Sequence, residues 1–454
     1  MKRLIIFLLI LIFSTGLISC KKDQPETNSE FVKSTPEWSY SQTIYEVNIR
    51  QFSEEGTIKK VEEHLPRLKE LGVGILWLMP VHPIGEENRK GTLGSYYAVK
   101  DYKKFNPEFG NEQDFREFVN KAHELGMYVI LDWVANHTAW DNVWVETNPE
   151  YYTKDSTGNF IPPVADWSDV IDLDYDNPAT HEAMADALEY WVREYNIDGY
   201  RCDVAAMVPS EFWRMARTRL DAIKPVFMLA EAHEPVLHEA GFEMTYNWQL
   251  KDHLNKIAKG EENAGDIVKH ITDEKAEYPA DAFRMTFTTN HDENSWSGTV
   301  FERHGDAVEA MYALAATLDG MPLVYSGQES GLDKRLEFFE KDPIDWGDYE
   351  YAHFYSKLMN LNRNNKALWN GKMGSDVNLV KSSDVENVIC FTREKDGDKV
   401  LVIINLSAEV RNVKLEGENL EGAYTNLYTN ETVVMNAVEE ISLDPWQYLV
   451  YTQK

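Results

Sequence analysis

From Ile44 onward, short apolar runs alternate with longer stretches whose apolar residues recur at helical spacing. That pattern predicts strands alternating with helices, and so a parallel sheet. Eight runs read as strands: IYEVNI from Ile44, VGILWLM from Val73, MYVILDWV from Met127, GYRCDV from Gly199, VFMLAE from Val226, FEMTYN from Phe242, FRMTFTTN from Phe283 and PLVYSGQ from Pro322. Between them lie segments such as VEEHLPRLKELG from Val61 and FREFVNKAHELG from Phe115, each closed by a glycine suited to a helix end. Eight such units predict an α/β fold, a (β/α)₈ TIM barrel over residues 38–372. The rival, an open doubly wound sheet, calls for a glycine-rich phosphate loop after an early strand, and the sequence has none.

Two regions break the repeat. Residues 138–177 are rich in aromatic and turn residues and too long for an ordinary βα loop, which predicts a small inserted subdomain after strand three. Its Trp140, Trp144, Tyr151, Tyr152 and Trp167 could stack on a ligand, although such a subdomain also needs aromatics for its own core. Over residues 373–454 the period shifts to two, as in KVLVIINLS and YLVYTQ, predicting a C-terminal antiparallel β domain.

The first 19 residues stand apart. Lys2 and Arg3 precede an apolar run from Leu4 to Phe13 with the length and flanks of a signal peptide, too short to span a bilayer permanently. The following Leu17-Ile18-Ser19-Cys20 resembles the lipobox of bacterial lipoproteins, which implies lipidation of Cys20 and an exported protein anchored to a bacterial membrane, on its periplasmic face or at the cell surface. Ordinary secretion is the alternative. Residues 20–37 then form a polar tether.

Composition narrows the partners. With 43% hydrophobic residues the chain can bury a large core, and 76 acidic against 45 basic residues leave a formal charge of -31. That charge repels phosphate backbones, so nucleic acid is excluded as a main partner and a neutral ligand fits better. Beyond Cys20, only Cys202 and Cys390 remain, an unpromising disulfide framework; both are expected to be buried as small hydrophobes.

In a barrel of this kind, the C-terminal strand ends carry the chemistry. The polar residues there are Asp132, Asn136 and His137 after strand three, Arg201 and Asp203 at strand four, Glu231 at strand five, and Asn290, His291 and Asp292 after strand seven. Alternation puts Arg201 and Asp203 on one face and Tyr200 and Cys202 on the other. The guanidinium should lower the pKa of Asp203 and keep it anionic. Glu231 ends the neighbouring strand, roughly 5–6 Å away, where apolar walls and a nearby anion should raise its pKa and keep it protonated. A structural salt bridge and a helix cap are the plain alternatives.

Four segments, DWVANH (132–137), GYRCDV (199–204), LAEAH (229–233) and TNHDEN (289–294), resemble the four ordered motifs of the α-amylase superfamily, glycoside hydrolase family 13; DLDYDNP (172–178) resembles a fifth. The resemblance implies a retaining α-glycosidase acting on α-1,4-linked glucans or maltooligosaccharides through a glycosyl-enzyme intermediate. Asp203 would be the nucleophile, Glu231 the general acid and base, and Asp292 the carboxylate that grips sugar hydroxyls and stabilises the transition state. Arg201 would orient Asp203, and Asp132 would pair with Arg201 as structural support. His137 and His291 would bind the sugar at the cleavage point, over a platform formed by Tyr97. A transglycosylase and a glycan-binding protein without catalysis are the alternatives.

The sequence departs from the family's calcium-dependent branch, which follows the nucleophile with a Lys-His pair where this chain has Ala206 and Met207; Ala230 stands where glycine usually precedes the acid's motif. Asn136 matches a family calcium ligand, but calcium takes six to eight oxygens, so no metal or other cofactor is assigned.

Overall fold

Side-chain direction alternates along the strand-forming runs, with both faces buried, and that alternation builds the barrel. In the computed structural model, which describes residues 31–453, eight parallel strands close on themselves. They are β1 (Ile44–Val47), β2 (Ile75–Leu78), β3 (Tyr128–Trp133), β4 (Gly199–Cys202), β5 (Phe227–Ala230), β6 (Met244–Tyr246), β7 (Phe283–Thr286) and β8 (Met321–Tyr325). Each pairs with its sequence neighbour, and β8 pairs with β1. Ile44, Ile75, Ile130, Phe227, Leu229, Met285 and Leu323 fill the interior, while Tyr45, Leu76, Leu131, Tyr200, Cys202 and Met228 pack outward beneath the helices. The expected (β/α)₈ barrel is therefore the fold, with all eight predicted strands in place.

The strands stop short of the predicted runs at their C-terminal ends. Asp203 and Glu231 still donate their backbone N–H groups into the ladder, to Trp133 and Cys202 carbonyls at 2.9 Å each. The sheet therefore fixes these two Cα positions while the side chains leave the pairing for the barrel mouth. Gly199 makes the approach of β4 to β5 possible: at φ 155°, a Cβ there would lie 1.9 Å from the Phe227 carbonyl oxygen.

The single helical stretch suggested by VEEHLPRLKELG is two helices, Ile58–Glu63 and Leu65–Leu71. Pro66 has no N–H to continue the first one and sits instead in the opening turn of the second, which Gly72 closes in the left-handed conformation. The insertion after β3 contains an antiparallel pair, His137–Ala139 with Val170–Asp172, and a short helix Val143–Thr147. Trp144 and Tyr151 pack against the main core, and Tyr152 is 2% exposed, so these three serve packing; Trp167 belongs to the cleft.

The C-terminal strands form a six-stranded sheet, which includes Val388–Lys395, Asp398–Asn405 and Tyr448–Gln453, and a three-stranded sheet of Lys381–Ser382, Arg411–Glu416 and Val438–Leu443, antiparallel throughout. Val388, Cys390, Leu401 and Ile403 face the core between the sheets, whereas Ile389, Phe391, Val400 and Val402 face the barrel helices. Cys202 and Cys390 are buried free thiols. At the other end of the chain, Lys33 reaches the carbonyls of His238 and Phe242 just before β6, and Ser34 donates to Asp221 before β5. The chain thus joins the barrel at the N-terminal ends of its strands. The signal segment 1–19, Cys20 and most of the tether lie outside the described residues; among those described, no helix is long and apolar enough to cross a membrane.

Candidate active site

The alternation that builds the barrel also fixes the direction of Arg201, which follows Gly199 on the inner face of β4 with no exposed surface. Such a cation survives only where anions and hydrogen-bond acceptors surround it. Its Nη1 donates to Asp132 Oδ1 at 2.8 Å and to Asp203 Oδ1 at 3.1 Å, and its Nε donates to the Tyr246 hydroxyl at 3.1 Å. Nη2 lies 2.9 Å from Glu231 Oε1, an ion pair without the angle of a hydrogen bond. One guanidinium therefore holds the two carboxyl groups singled out from the sequence, one on each terminal nitrogen.

The second oxygen of Glu231 accepts the Val204 N–H at 2.8 Å. That N–H is aimed by an unusual turn: Val204 has φ 37° and ψ 46°, a left-handed conformation that costs a β-branched residue on the order of 1–3 kcal/mol. Directly after the Asp203 side chain, the backbone thus bends to meet the neighbouring Glu231.

A second group of contacts forms around His291. Its Nδ1 meets Glu46 from β1, while its Nε2 lies 2.8 Å from the Tyr97 hydroxyl and 3.2 Å from Asp292 Oδ2. Tyr97 also donates to Asp132 Oδ2 at 3.0 Å, alongside the Trp77 indole at 3.1 Å. Asp292 stands at the rim with its side chain 41% exposed. His137 closes the opposite side, with Nε2 at 3.9 Å from Asp203 Oδ2. The Asn136 amide lies 3.3 Å from His137 Nδ1; with that amide as donor, the assigned tautomer leaves Nε2–H as a donor toward the cavity.

The proton affinities follow from this layout. Burial pushes the Asp203 carboxyl well above the usual range, the Glu231 charge adds to it, and the opposing pull of Arg201 is smaller. The expected lowering of Asp203 by its guanidinium neighbour is therefore wrong in net direction, because Arg201 divides its charge among three acids and burial acts on each. Glu231 is raised as expected, chiefly by burial and against Arg201. Burial would raise Asp292 also, but the charge and hydrogen bond of His291 outweigh it and hold it low. Burial pushes His137 down to about 3, so that ring is neutral at ordinary pH.

These groups line a cavity of about 410 Å³, with Lys90, Ser95, Trp167, Asp169, Trp296, Phe338 and Phe339 in its walls. Such a volume is in the range of small-molecule sites. A larger cavity, about 580 Å³, lies under the C-terminal sheet; its acids Glu274, Asp319, Asp376 and Glu394 are accompanied by four cations, with Glu274 paired to Arg284 and Asp376 to Lys275. The structure thus brings Tyr97, Asp132, His137, Arg201, Asp203, Glu231, His291 and Asp292 together. Sequence reasoning passed over Glu46, Trp77, Tyr246 and the wall residues other than Trp167. Glu46 was legible, since alternation places it in phase with Ile44 on the inner face of β1.

The Asn136 amide is directed at His137, and no cluster of three or more His, Cys, Asp or Glu residues able to hold a metal ion occurs among the described residues.

Acids gathered on one guanidinium at the C-terminal mouth of a (β/α)₈ barrel place the protein among barrel enzymes that act on small polar substrates. Comparison gives the family: residues 27–168 and 163–375 match the model of the α-amylase catalytic domain, and the chain belongs to that family of glycoside hydrolases. Among solved structures, it is similar to a noncanonic maltogenic α-amylase, AmyB, from Thermotoga neapolitana, at 31% identity over 92% of this chain and 99% of that one, with a TM-score of 0.83. It is also similar to an α-amylase from Lactobacillus plantarum, at 31% identity over 92% of this chain and all of that one, with a TM-score of 0.81. Alpha-amylase 3 of Dictyoglomus thermophilum is 24% identical, over 82% of this chain and 85% of its own length.

Proposed function

We propose that the protein hydrolyses α-1,4-glucosidic bonds in starch-like glucans or maltooligosaccharides, with retention of anomeric configuration. The observation that carries this reading is Arg201, which positions Asp203 and Glu231 on adjacent strands and faces both into one cavity. In the proposed reaction the buried Asp203–Glu231 pair shares one proton, held on Glu231, so that the Asp203 carboxylate attacks the anomeric carbon while Glu231 protonates the departing glycosidic oxygen. The resulting glycosyl ester is then hydrolysed by water that Glu231, now a base, deprotonates. The raised proton affinity of Glu231 suits its first role, and transfer of its proton leaves a carboxylate that Arg201 and the Val204 N–H are placed to stabilise. Asp292, held anionic by His291 at the rim, suits a contact with sugar hydroxyls that tightens as positive charge develops on the ring. Maltogenic α-amylase and cyclomaltodextrinase occur among the named relatives, which supports a maltooligosaccharide substrate.

Product analysis on maltoheptaose tests the reaction: shorter sugars are expected. Longer products would mean transfer to a sugar hydroxyl, and no turnover would mean a binding protein. Asp203→Ala is expected to reduce turnover by several orders of magnitude in a folded protein, and near-normal activity would refute the nucleophile. We further propose export and anchoring through a lipidated Cys20, a reading supported by the apolar run from Leu4 to Phe13 and the lipobox-like Leu17-Ile18-Ser19-Cys20.

A further inference from the structure

Two basic side chains serve five carboxyl groups at this end of the barrel. Arg201 contacts Asp132, Asp203 and Glu231; His291 contacts Glu46 and Asp292. Asp132 supports Arg201, so Glu46 is the acid with no part yet assigned. It has no exposed surface, its Oε2 has no hydrogen-bond partner, and its Oε1 is spent on His291 Nδ1. A carboxyl group in such a place is costly unless its partner carries the opposite charge.

We propose that Glu46 is a positioning residue for the reaction: it keeps both ring nitrogens of His291 protonated, so that a second fixed cation beside Arg201 supports Asp292 and presents a donor to the substrate. This rests on the assignment of Asp203, Glu231 and Asp292 made above.

The hydrogen-bond inventory leads there. Asp132 accepts from Arg201 Nη1 on Oδ1 and from the Trp77 indole N–H on Oδ2, and Oδ2 also accepts the single Tyr97 hydroxyl proton. The Tyr97 oxygen is then an acceptor for His291 Nε2–H, which Asp292 Oδ2 shares at 3.2 Å. With Nε2 a donor, Nδ1 faces Glu46, and a proton there completes the imidazolium. The ring cannot turn away, because it stacks on Tyr97 at 5.6 Å and meets Trp77 edge-on at 6.0 Å. Burial opposes a charged histidine, but Asp292 and Glu46 together outweigh burial and hold its pKa well above the usual value. The other titratable or charged groups around the pair are Asp132 from β3, Arg201 from β4, Glu231 after β5, Tyr246 from β6 and Tyr325 from β8, with Tyr97 from the loop after β2. Arg201 is the one cation among these, and besides Glu46 only Asp292 among the acids is in contact with His291, so loss of Glu46 leaves His291 with Asp292 as its main support.

The test is steady-state kinetics of Glu46→Gln on maltoheptaose from pH 5 to 9, beside wild type, His291→Gln and the double variant. For Glu46→Gln, the loss in kcat/KM should be smallest at pH 5–6 and should grow by about tenfold per pH unit once the released histidine loses its proton, near its ordinary pKa of about 6.5. His291→Gln should be slow without that extra limb, and the double variant should match it. A folded Glu46→Gln protein whose profile runs parallel to wild type would overturn the proposal, as would a Glu46→Gln loss of equal size in the His291→Gln background. Should Glu46→Gln not fold, nitrogen-15 shifts of the His291 ring in wild type decide: an imidazolium at pH 8 agrees, and a neutral ring at pH 7 refutes. Failure of the hydrolytic reading would show separately, as full activity in Asp203→Ala.

Discussion

Asp203 illustrates how a single residue can be placed correctly and its chemistry misjudged. Alternation along GYRCDV gives the direction of its side chain, and the structure agrees: Arg201 and Asp203 meet at 3.1 Å, with Tyr200 and Cys202 behind. Its proton affinity was misread because the sequence reading weighed the guanidinium alone, whereas burial and the Glu231 charge together outweigh it. A carboxyl whose pKa is raised by folding costs stability as pH rises above the ordinary carboxyl value, since the unfolded state ionises first. Asp203→Asn should therefore melt at a higher temperature than wild type at pH 8, with the difference shrinking toward pH 5. Thermal denaturation at the two pH values checks this, and a difference that grows on acidification would contradict it. Glu46 was missed for the opposite reason: its position reads plainly, but its partner His291 is 245 residues away.

Among the elements, the strands were legible and the loops were not. A strand is written in its own period, so all eight emerged from the sequence, trimmed at the ends where polar residues leave the ladder. The cleft walls depend instead on contacts between loops. Lys90, from the segment after β2, reaches Asp169 in the insertion at 2.9 Å and the Asp166 carbonyl at 2.8 Å. Both residues of the ion pair line the cavity, together with Trp167 and the 57% exposed Trp296. This bridge ties the two walls together. Lys90→Ala is expected to raise the kcat/KM ratio of amylose to maltotriose several-fold, and an unchanged ratio would show that the bridge does not limit access.

For the whole molecule, the C-terminal sheets brace the barrel rather than the cleft. Arg393, with no exposed surface, donates to the Leu318 carbonyl at 2.6 Å and to the Ser375 carbonyl at 2.9 Å, fastening the six-stranded sheet to the segment before β8. The chain enters through Lys33 and Ser34 at the N-terminal ends of the strands, whereas every acid of the proposed reaction stands at or beyond the C-terminal ends. Lys33 and Ser34 make no contribution to the cleft. Cys20→Ser should release the protein from membranes and leave hydrolysis of soluble maltooligosaccharides intact; membrane fractionation with an activity assay reads both. Unchanged membrane association would remove the lipid anchor from the account.

The central claim is that Asp203 and Glu231, held by one arginine, act as nucleophile and acid in a double displacement. Proton NMR of the first products released from maltoheptaose tests it most directly, before mutarotation mixes the anomers. The account predicts that the new reducing end appears first as the α-anomer; a β-anomer formed first would contradict it.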